Sequence, residues 1–345
     1  ENTDGMTRLY YTLSYKRKNI VEKSELGVEI KNKLLESAMG IPNDQCARWG
    51  DNLTFIGVDS ARCERSWKPL YGERSEIPDN YRSLQVKFRK GELPKEKAPK
   101  DYDRTPSYLM NIEVRAYNEG VAFRYHFPLI TSGMFVHITD ELTEFSMPEG
   151  TTAWHEPWAQ SPATQRPLEG WEDESERPLT MRLPDGLTVS LGEARMVDYV
   201  RTKFALSPSR PHTLQTSMYD CADIITPYNT PWRVIMAAER PVELIAHNYI
   251  YLNLNEPCAL QGDLSWIKPG KVFRSRLSQK EALEAVDFAA ERGLQYIHLD
   301  AGWYGSEIIM EHDATKVIEN LDLDIPSICR YAATKNIGVW LYVNQ

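Results

Sequence analysis

The stretch that decides the fold of the C-terminal part reads SQKEALEAVDFAAERGLQYIHLDAGWYG over residues 278–305. It opens with a capping box at Ser278 and Glu281, which predicts an apolar-faced helix that ends at Gly293. A strand over 294–299 follows at once. Further on, DIP at 324–326 indicates the first turn of a second helix that ends near Lys335, before a mostly apolar strand over 338–343. This alternation of strand and helix predicts a parallel sheet.

The preceding part of the chain has a different pattern. It consists of short runs rich in β-branched and aromatic residues, separated by turn formers, and this pattern predicts an antiparallel sandwich instead of βαβ units. The lysine-rich and proline-rich stretch 90–106 is predicted to be a solvated loop. The predicted strands cover residues 10–14, 27–30, 53–58, 83–89, 110–117, 121–127, 188–191 and 234–238.

The fold class is therefore a multi-domain β plus α/β protein. We predict an N-terminal β-sandwich domain over 1–255 and the first strands and helices of a (β/α)8 barrel over 256–345. Two or three parallel strands cannot close a barrel, which takes roughly 250 residues, so we expect that the 345 residues stop within the barrel.

Composition excludes several classes of protein. The formal net charge of −9 makes nucleic acid an unsuitable partner, and no apolar run reaches the roughly 18 residues that span a membrane. The residues ENTDG at 1–5 lack the pattern of a signal peptide. The five cysteines have no C-x-x-C spacing, so they indicate neither a zinc site nor a disulfide framework. The oligomeric state is left open.

Polar and aromatic residues follow the predicted parallel strands, where such folds place their functional groups. Asp300 leaves the strand over 294–299 and could accept hydrogen bonds from sugar hydroxyls, while Trp303 could cover the apolar face of a sugar. The alternative is that Asp300 only caps the turn. Asn344, after the last strand, is a ligand contact or a turn residue.

Two further clusters combine aromatic and charged residues. Trp266 and Lys268 lie in SWIKPGK at 265–271, before the first barrel strand, where they form a ligand contact or a linker with a buried tryptophan. His155 and Glu156 lie between two tryptophans. They are candidates for sugar contact, and a loop held by two buried rings explains them equally well.

Several ordered motifs resemble those of glycoside hydrolase family 97. In the N-terminal part they are GVAFRY at 120–125, ELTEF at 141–145 and GEA at 192–194; in the C-terminal part they are LNEP at 254–257, SWIKPGK at 265–271, VDFAA at 286–290, DAGWY at 300–304 and DIP at 324–326. The resemblance implies an N-terminal β-super-sandwich, a (β/α)8 barrel and a small C-terminal β domain. It also implies an exo-acting α-glucosidase or α-galactosidase that binds calcium and acts on oligosaccharides.

The details of these motifs resemble the retaining members, which include α-galactosidases. DAGW replaces the Glu-Gly-Trp of inverting α-glucosidases, although Phe273 and Arg274 stand where retaining members have a Trp-Asp-Trp-Trp segment. In the family the nucleophile and the acid/base lie on later barrel strands, so no catalytic residue is expected in residues 1–345 and this piece alone is expected to be inactive.

We predict that the residues at these positions bind substrate, namely Asp300, Trp303, Asn344, Trp266 and Lys268. The resemblance implies that Glu193 is a calcium ligand. The alternative for Glu193 is a surface residue that ends a strand. The resemblance further implies a periplasmic or secreted bacterial protein. A non-catalytic carbohydrate-binding or scaffold protein of the same fold is the alternative function, and a sandwich without any sugar site is a weaker one.

Overall fold

The structure is a computed structural model, and it describes residues 2–3, 6–30, 48–90, 108–129, 133 and 135–344. Residues 91–106 of the predicted loop lie outside the described residues. The chain divides into two compact units, Glu1–Pro257 and Cys258–Gln345. The division falls close to residue 255, where the sequence pattern changes.

The first unit is built almost entirely from strands. Short strands and long hairpins alternate because β-branched and aromatic runs are separated by turn residues. The strands are β1 (Asn2–Thr3), β2 (Met6–Thr7), β3 (Leu9–Tyr15), β4 (Lys18–Leu26), β5 (Val28–Ile30), β6 (Leu53–Trp67), β7 (Ile77–Lys90), β8 (Tyr108–Ala116), β9 (Gly120–Phe127), β10 (Phe135–Glu141), β11 (Glu144–Ser146), β12 (Thr152–His155), β13 (Thr164–Pro167), β14 (Leu179–Arg182), β15 (Thr188–Ala194), β16 (Thr202–Leu206), β17 (Thr213–Met218), β18 (Ala222–Ile225), β19 (Tyr228–Asn229) and β20 (Trp232–Ala238).

Ten of these strands form one large sheet in the order β13-β12-β14-β15-β20-β9-β8-β7-β6, with β19 paired to β9. Smaller sheets join β18-β10-β5, β11-β17-β16, β3-β4 and β1-β2. Every strand pair that the structure describes in this unit is antiparallel. The predicted antiparallel β unit is confirmed.

One face of the large sheet packs against the smaller sheets through a continuous apolar core. Alternate residues of β9 belong to this core, among them Phe123, Tyr125 and Phe127. The residues between them face the other way. Two short helices, α1 (Pro241–Ala246) and α2 (Ile250–Asn253), follow β20, and Ile250 packs on that second face against Ala122 and Trp232.

The second unit has the order β21 (Val272–Ser275), α3 (Gln279–Glu291), β22 (Tyr296–Leu299), α4 (Ile325–Thr334) and β23 (Gly338–Leu341). The three strands are parallel and pair in the order β21-β22-β23. The structure shows this parallel strand-helix alternation, while the complete (β/α)8 barrel remains a prediction.

The two helices begin where the sequence predicts. Before α3, the Ser278 hydroxyl donates to the Glu281 carboxylate at 2.9 Å and accepts the Glu281 backbone N–H at 3.3 Å. Before α4, the Asp324 carboxylate accepts the Ser327 backbone N–H at 3.0 Å. Both caps satisfy backbone donors that lack a partner within the first turn of a helix.

The two faces of this sheet differ. Ile297 and Leu299 are buried in a core with the apolar sides of α3 and α4. Because side chains alternate along a strand, the opposite face carries Arg274, His298 and Trp340, which are paired in register across the three strands. A Cβ at Gly338 would lie 2.5 Å from the Tyr296 ring, so that face also requires a glycine beside Tyr296.

Among the residues described, no helix is long and apolar enough to span a membrane.

Candidate functional site

The carboxyl edge of the three-stranded sheet brings a cation and a carboxylate together. Ser275 and Leu299 pair at the ends of β21 and β22, so Arg274 lies beside the point where Asp300 leaves the sheet. Arg274 Nε lies 2.7 Å from Asp300 Oδ2. The Arg274 side chain is 73% exposed and that of Asp300 is 26% exposed, so both retain polar atoms that face solvent. The pair offers hydrogen-bond donors and an acceptor side by side.

Asn344 is fixed close to the loop that follows Asp300. Tyr304 Oη donates to the Asn344 carbonyl at 2.8 Å and accepts the Asn344 backbone N–H at 2.9 Å. The Asn344 side-chain amide donates to Glu307 at 3.4 Å. These contacts join the segment after β23 to the loop after β22, so the structure brings Asn344 and this loop together.

Trp303 has a different environment from the one predicted. Its residue exposure is 3%, and its indole N–H donates to the Tyr342 carbonyl at 2.7 Å. The ring lies edge-on to Tyr304 with 5.0 Å between centroids. A ring whose faces are covered by protein cannot stack on a sugar. As placed here, Trp303 is a core residue that holds the loop, which corrects the expected role in substrate contact.

Trp266 and Lys268 lie at the other end of the strands. Lys268 is exposed, and its carbonyl accepts a hydrogen bond from Tyr296 Oη at the start of β22. Trp266 is 68% exposed, so the alternative of a buried linker tryptophan does not hold. Asp300 follows the opposite end of β22. The structure therefore does not bring these two residues together with Asp300.

A second charged cluster lies inside the first unit, around Arg233 of β20. Arg233 Nε donates to Glu141 at 2.7 Å, and Arg233 Nη1 donates to Glu193 at 2.7 Å. The three side chains are almost fully buried, with exposures of 2%, 0% and 4%. Burial alone lowers the pKa of Arg233, but the charge and hydrogen bonds of Glu141 outweigh this effect and raise the pKa above its usual range.

The surroundings of Glu193 do not suit a calcium ion. One carboxylate oxygen contacts Arg177 Nε, and the other accepts hydrogen bonds from Arg233 and, at 3.0 Å, from the Thr202 hydroxyl. Calcium takes six to eight oxygen ligands, and two guanidinium groups on one carboxylate would repel it. Within the described ranges no three His, Cys, Asp or Glu side chains are grouped as a metal site. The alternative, a surface glutamate, does not describe this buried residue either.

His155 and Glu156 form no open cluster. His155 is fully buried, its Nε2 lies 3.1 Å from Asp173 Oδ1, and its ring lies edge-on to Trp171. The Glu156 backbone N–H donates to the Ser175 hydroxyl at 3.0 Å. Trp158 is 61% exposed, so the loop is not held by two buried rings as the alternative proposed. The buried contacts of His155 favour a structural role.

Sequence reasoning missed Arg274 as a site residue and treated it only as a departure from a family motif. One signal could have found it. Arg274 occupies the same alternating face of its strand as residues 296, 298 and 300 do on the next strand, so a parallel register predicts that it lies near Asp300.

Comparison with known proteins relates both units to one family. The model for the glycosyl-hydrolase 97 N-terminal domain matches residues 2–257, and the model for glycoside hydrolase 97 matches residues 261–345. The retaining alpha-galactosidase of Bacteroides thetaiotaomicron is 24% identical over 90% of this chain and 50% of its own length. The probable retaining alpha-galactosidase of Streptomyces bingchenggensis is 21% identical over 84% and 46%.

Solved structures share the fold. A glycoside hydrolase family 97 enzyme from Pseudoalteromonas sp. strain K8, solved as the E480Q variant with panose, has a TM-score of 0.76 at 24% identity. The match covers 98% of this chain and 53% of the solved chain. A beta-arabinopyranosidase has a TM-score of 0.69 at 17% identity, covering 98% and 52%. The chain thus spans about half the length of these relatives, and the two matched domains show that it belongs to glycoside hydrolase family 97.

Proposed function

We propose that this protein is an exo-acting α-glycosidase that removes terminal α-linked galactose from oligosaccharides with retention of configuration. Two curated relatives named as retaining or probable retaining alpha-galactosidases support this proposal. The structural observation that carries it is Asp300, a half-buried carboxylate placed after a parallel strand and held 2.7 Å from Arg274. This is the edge where enzymes with parallel α/β folds bind their substrates.

Asp300 is proposed to bind the sugar and not to attack it. Its Oδ2 is engaged by Arg274, which leaves Oδ1 to accept a hydrogen bond from a sugar hydroxyl. Retaining hydrolysis needs two carboxyl groups about 5 to 5.5 Å apart, one as nucleophile and one as acid/base. We assign neither of those roles to a residue of this chain. Asp300 and Arg274 orient the sugar ring toward the nucleophile and the acid/base.

The test uses the full protein that carries this chain. Hydrolysis of aryl α-galactoside and aryl α-glucoside is compared, and NMR follows the anomer released first. We expect faster cleavage of the galactoside, with the α-anomer as the first product. Faster cleavage of the glucoside would change the sugar assignment, and the panose complex of the related enzyme makes glucosides the second substrate class to consider. Sugar binding without hydrolysis would favour the non-catalytic carbohydrate-binding alternative.

Calcium binding and export to the periplasm or the medium complete the proposal, and both rest on the family resemblance. A calcium site would need oxygen ligands other than Glu193, because that carboxylate is already engaged by two arginines and Thr202. Chelation with EDTA followed by addition of calcium tests the metal, and cell fractionation tests the location. Activity that EDTA does not change, or protein confined to the cytoplasmic fraction, would contradict the corresponding part.

A further inference from the structure

A cleft of about 260 Å³ lies in the first unit, on the face of the large sheet turned away from its apolar core. We call it the Arg115 cleft; it is bordered by parts of β6, β7, β8, β9 and β20. Ile112 points into the core, so Glu113 of the same strand lies on the opposite face and lines the cleft. Its volume is slightly below the range for pockets that hold drug-sized ligands, and it suits a smaller molecule.

Small side chains create this space between two large rings. Ala61, Ser83 and Arg115 pair in register across β6, β7 and β8. The first two residues are short, while Tyr81 and Trp232 stand at the sides. The Arg115 guanidinium carbon lies 4.6 Å from the centre of the Tyr81 ring and 4.9 Å from that of Trp232. Cation–π contacts with both rings therefore hold the guanidinium in place.

The cleft carries one positive charge that no carboxylate neutralises. Glu113 is paired with Arg124 at 2.6 Å, and Asp59 is paired with Lys87 at 2.5 Å. Arg115 makes a long hydrogen bond of 3.4 Å to the Asn253 carbonyl and has no ion pair within the described ranges. An arginine fixed by two rings and without a carboxylate partner is suited to bind an oxyanion through two parallel N–H donors.

The remaining polar groups suit hydroxyls. Gln85 donates its amide to Glu113 at 3.0 Å, and its side-chain carbonyl oxygen is left as an acceptor. The Ser83 hydroxyl, beside Arg115 in the register, can donate or accept. Both residues line the cleft together with the Tyr81 ring, which can cover an apolar sugar face.

From these contacts we propose that the Arg115 cleft binds one acidic sugar unit, a hexuronate, separately from the Asp300 site. The carboxylate of the sugar pairs with Arg115, and its hydroxyls bond to Gln85 and Ser83. This inference does not depend on the proposed hydrolysis, because every residue that it uses lies in the first unit.

Isothermal titration of the full protein with galacturonate and its methyl ester tests the proposal. We expect millimolar or tighter binding of galacturonate, and binding about tenfold or more weaker for the uncharged methyl ester. Arg115→Met keeps the stem that packs between the rings and should weaken galacturonate binding by about tenfold or more. Arg62→Met is the matched control, since Arg62 is an exposed arginine of β6 outside the cleft.

Two further variants keep the result interpretable. Ala61→Leu fills the cleft without altering the charge, so it should abolish galacturonate binding. This variant tests the cleft even if Arg115→Met is poorly folded. Asp300→Asn lies in the second unit and should leave galacturonate affinity unchanged. The proposal is overturned if galacturonate gives no heat, if the methyl ester binds equally well, if Arg115→Met and Ala61→Leu bind like the unmodified protein, or if Asp300→Asn is the variant that loses binding.

Discussion

Arg233 and Arg274 each pair with a carboxylate, yet their surroundings give them different roles. Arg233 is 2% exposed and bonds to both Glu141 and Glu193, so its hydrogen-bonding capacity is used within the protein. Arg274 is 73% exposed, and its Nε lies 2.7 Å from the Asp300 carboxylate. The same residue types can thus stabilise a core or remain available to a ligand. Burial and the number of partners decide between these roles.

The first way to test this comparison is to remove the buried cation. Arg233→Met leaves Glu141 and Glu193 buried without their shared partner, and we expect a loss of about 3 to 5 kcal/mol in the free energy of unfolding. Urea unfolding measures it. Arg274→Met is the matched control and should change the free energy of unfolding by less than about 1 kcal/mol. Equal losses from the two variants would remove the distinction.

The second test concerns the open pair. If Asp300 binds a sugar hydroxyl, Asp300→Asn loses a charged hydrogen bond worth about 1.5 to 3 kcal/mol, which lowers kcat/KM about tenfold or more. The free energy of unfolding should change by less than about 1 kcal/mol, because the pair with Arg274 is exposed. Steady-state kinetics and urea unfolding of the full protein are measured together. Unchanged kinetics with a lower free energy of unfolding would show that Asp300 only caps the turn.

The third test measures how much the buried Trp303 side chain contributes to the free energy of unfolding. Trp303→Phe keeps an aromatic ring but leaves the Tyr342 carbonyl without its indole donor, which should cost about 1 to 2 kcal/mol of unfolding free energy. Trp340→Phe changes a tryptophan that is 52% exposed on the same unit, and should cost no more than about 0.5 kcal/mol. If both variants unfold at the same urea concentration, the Trp303 hydrogen bond contributes no stability.

The smallest effect is expected at Glu176, which lies beside Arg177 in the buried cluster. Burial raises the pKa of Glu176, but the hydrogen bond from Tyr219 at 2.8 Å and the charge of Lys203 together lower it by more. The pKa of Glu176 therefore falls below its ordinary value. A lowered pKa in the folded state contributes stability that is present above the unfolded pKa of about 4.3 and is lost as the pH falls through the folded pKa.

Glu176→Gln should therefore flatten the acid limb of the stability curve, by about 1 kcal/mol or less between neutral pH and pH 3. Urea midpoints measured at a series of pH values show this slope. The exposed residue Glu172, four positions earlier in the sequence, supplies the control variant Glu172→Gln, which should leave the slope unchanged. A steeper acid limb in Glu176→Gln would contradict the direction of the pKa shift.

Local signals predicted the secondary structure of the second unit well. Ser278 with Glu281, and Asp324 with Pro326, mark helix starts through contacts within four residues, and both helices begin there. The strand predicted over 294–299 is shorter in the structure, Tyr296–Leu299, because its pairing begins only where β21 is available as a partner. Strand ends depend on a neighbour that lies elsewhere in the sequence.

The roles of single residues were harder to predict, because burial is a property of the folded chain. Trp303 follows a strand and a glycine, a pattern typical of an exposed loop, yet it is covered by the core of its unit. The Arg233 cluster joins Glu141, Glu193 and Arg233, and no local motif connects positions so far apart. One clue was present: Arg233 is the only charged residue in the buried strand Trp232–Ala238, and a buried charge needs a partner.

The strand order of the large sheet also has a consequence for synthesis on the ribosome. The central strand β9 pairs with β8, its immediate predecessor, but its other neighbour is β20, which brings Phe123 next to Arg233. Translation adds roughly 5 to 20 residues per second, so β9 has one unpaired edge for several seconds after it leaves the exit tunnel. During that interval β9 is open to pairing with another nascent chain, and we expect chaperone contact to be greatest there.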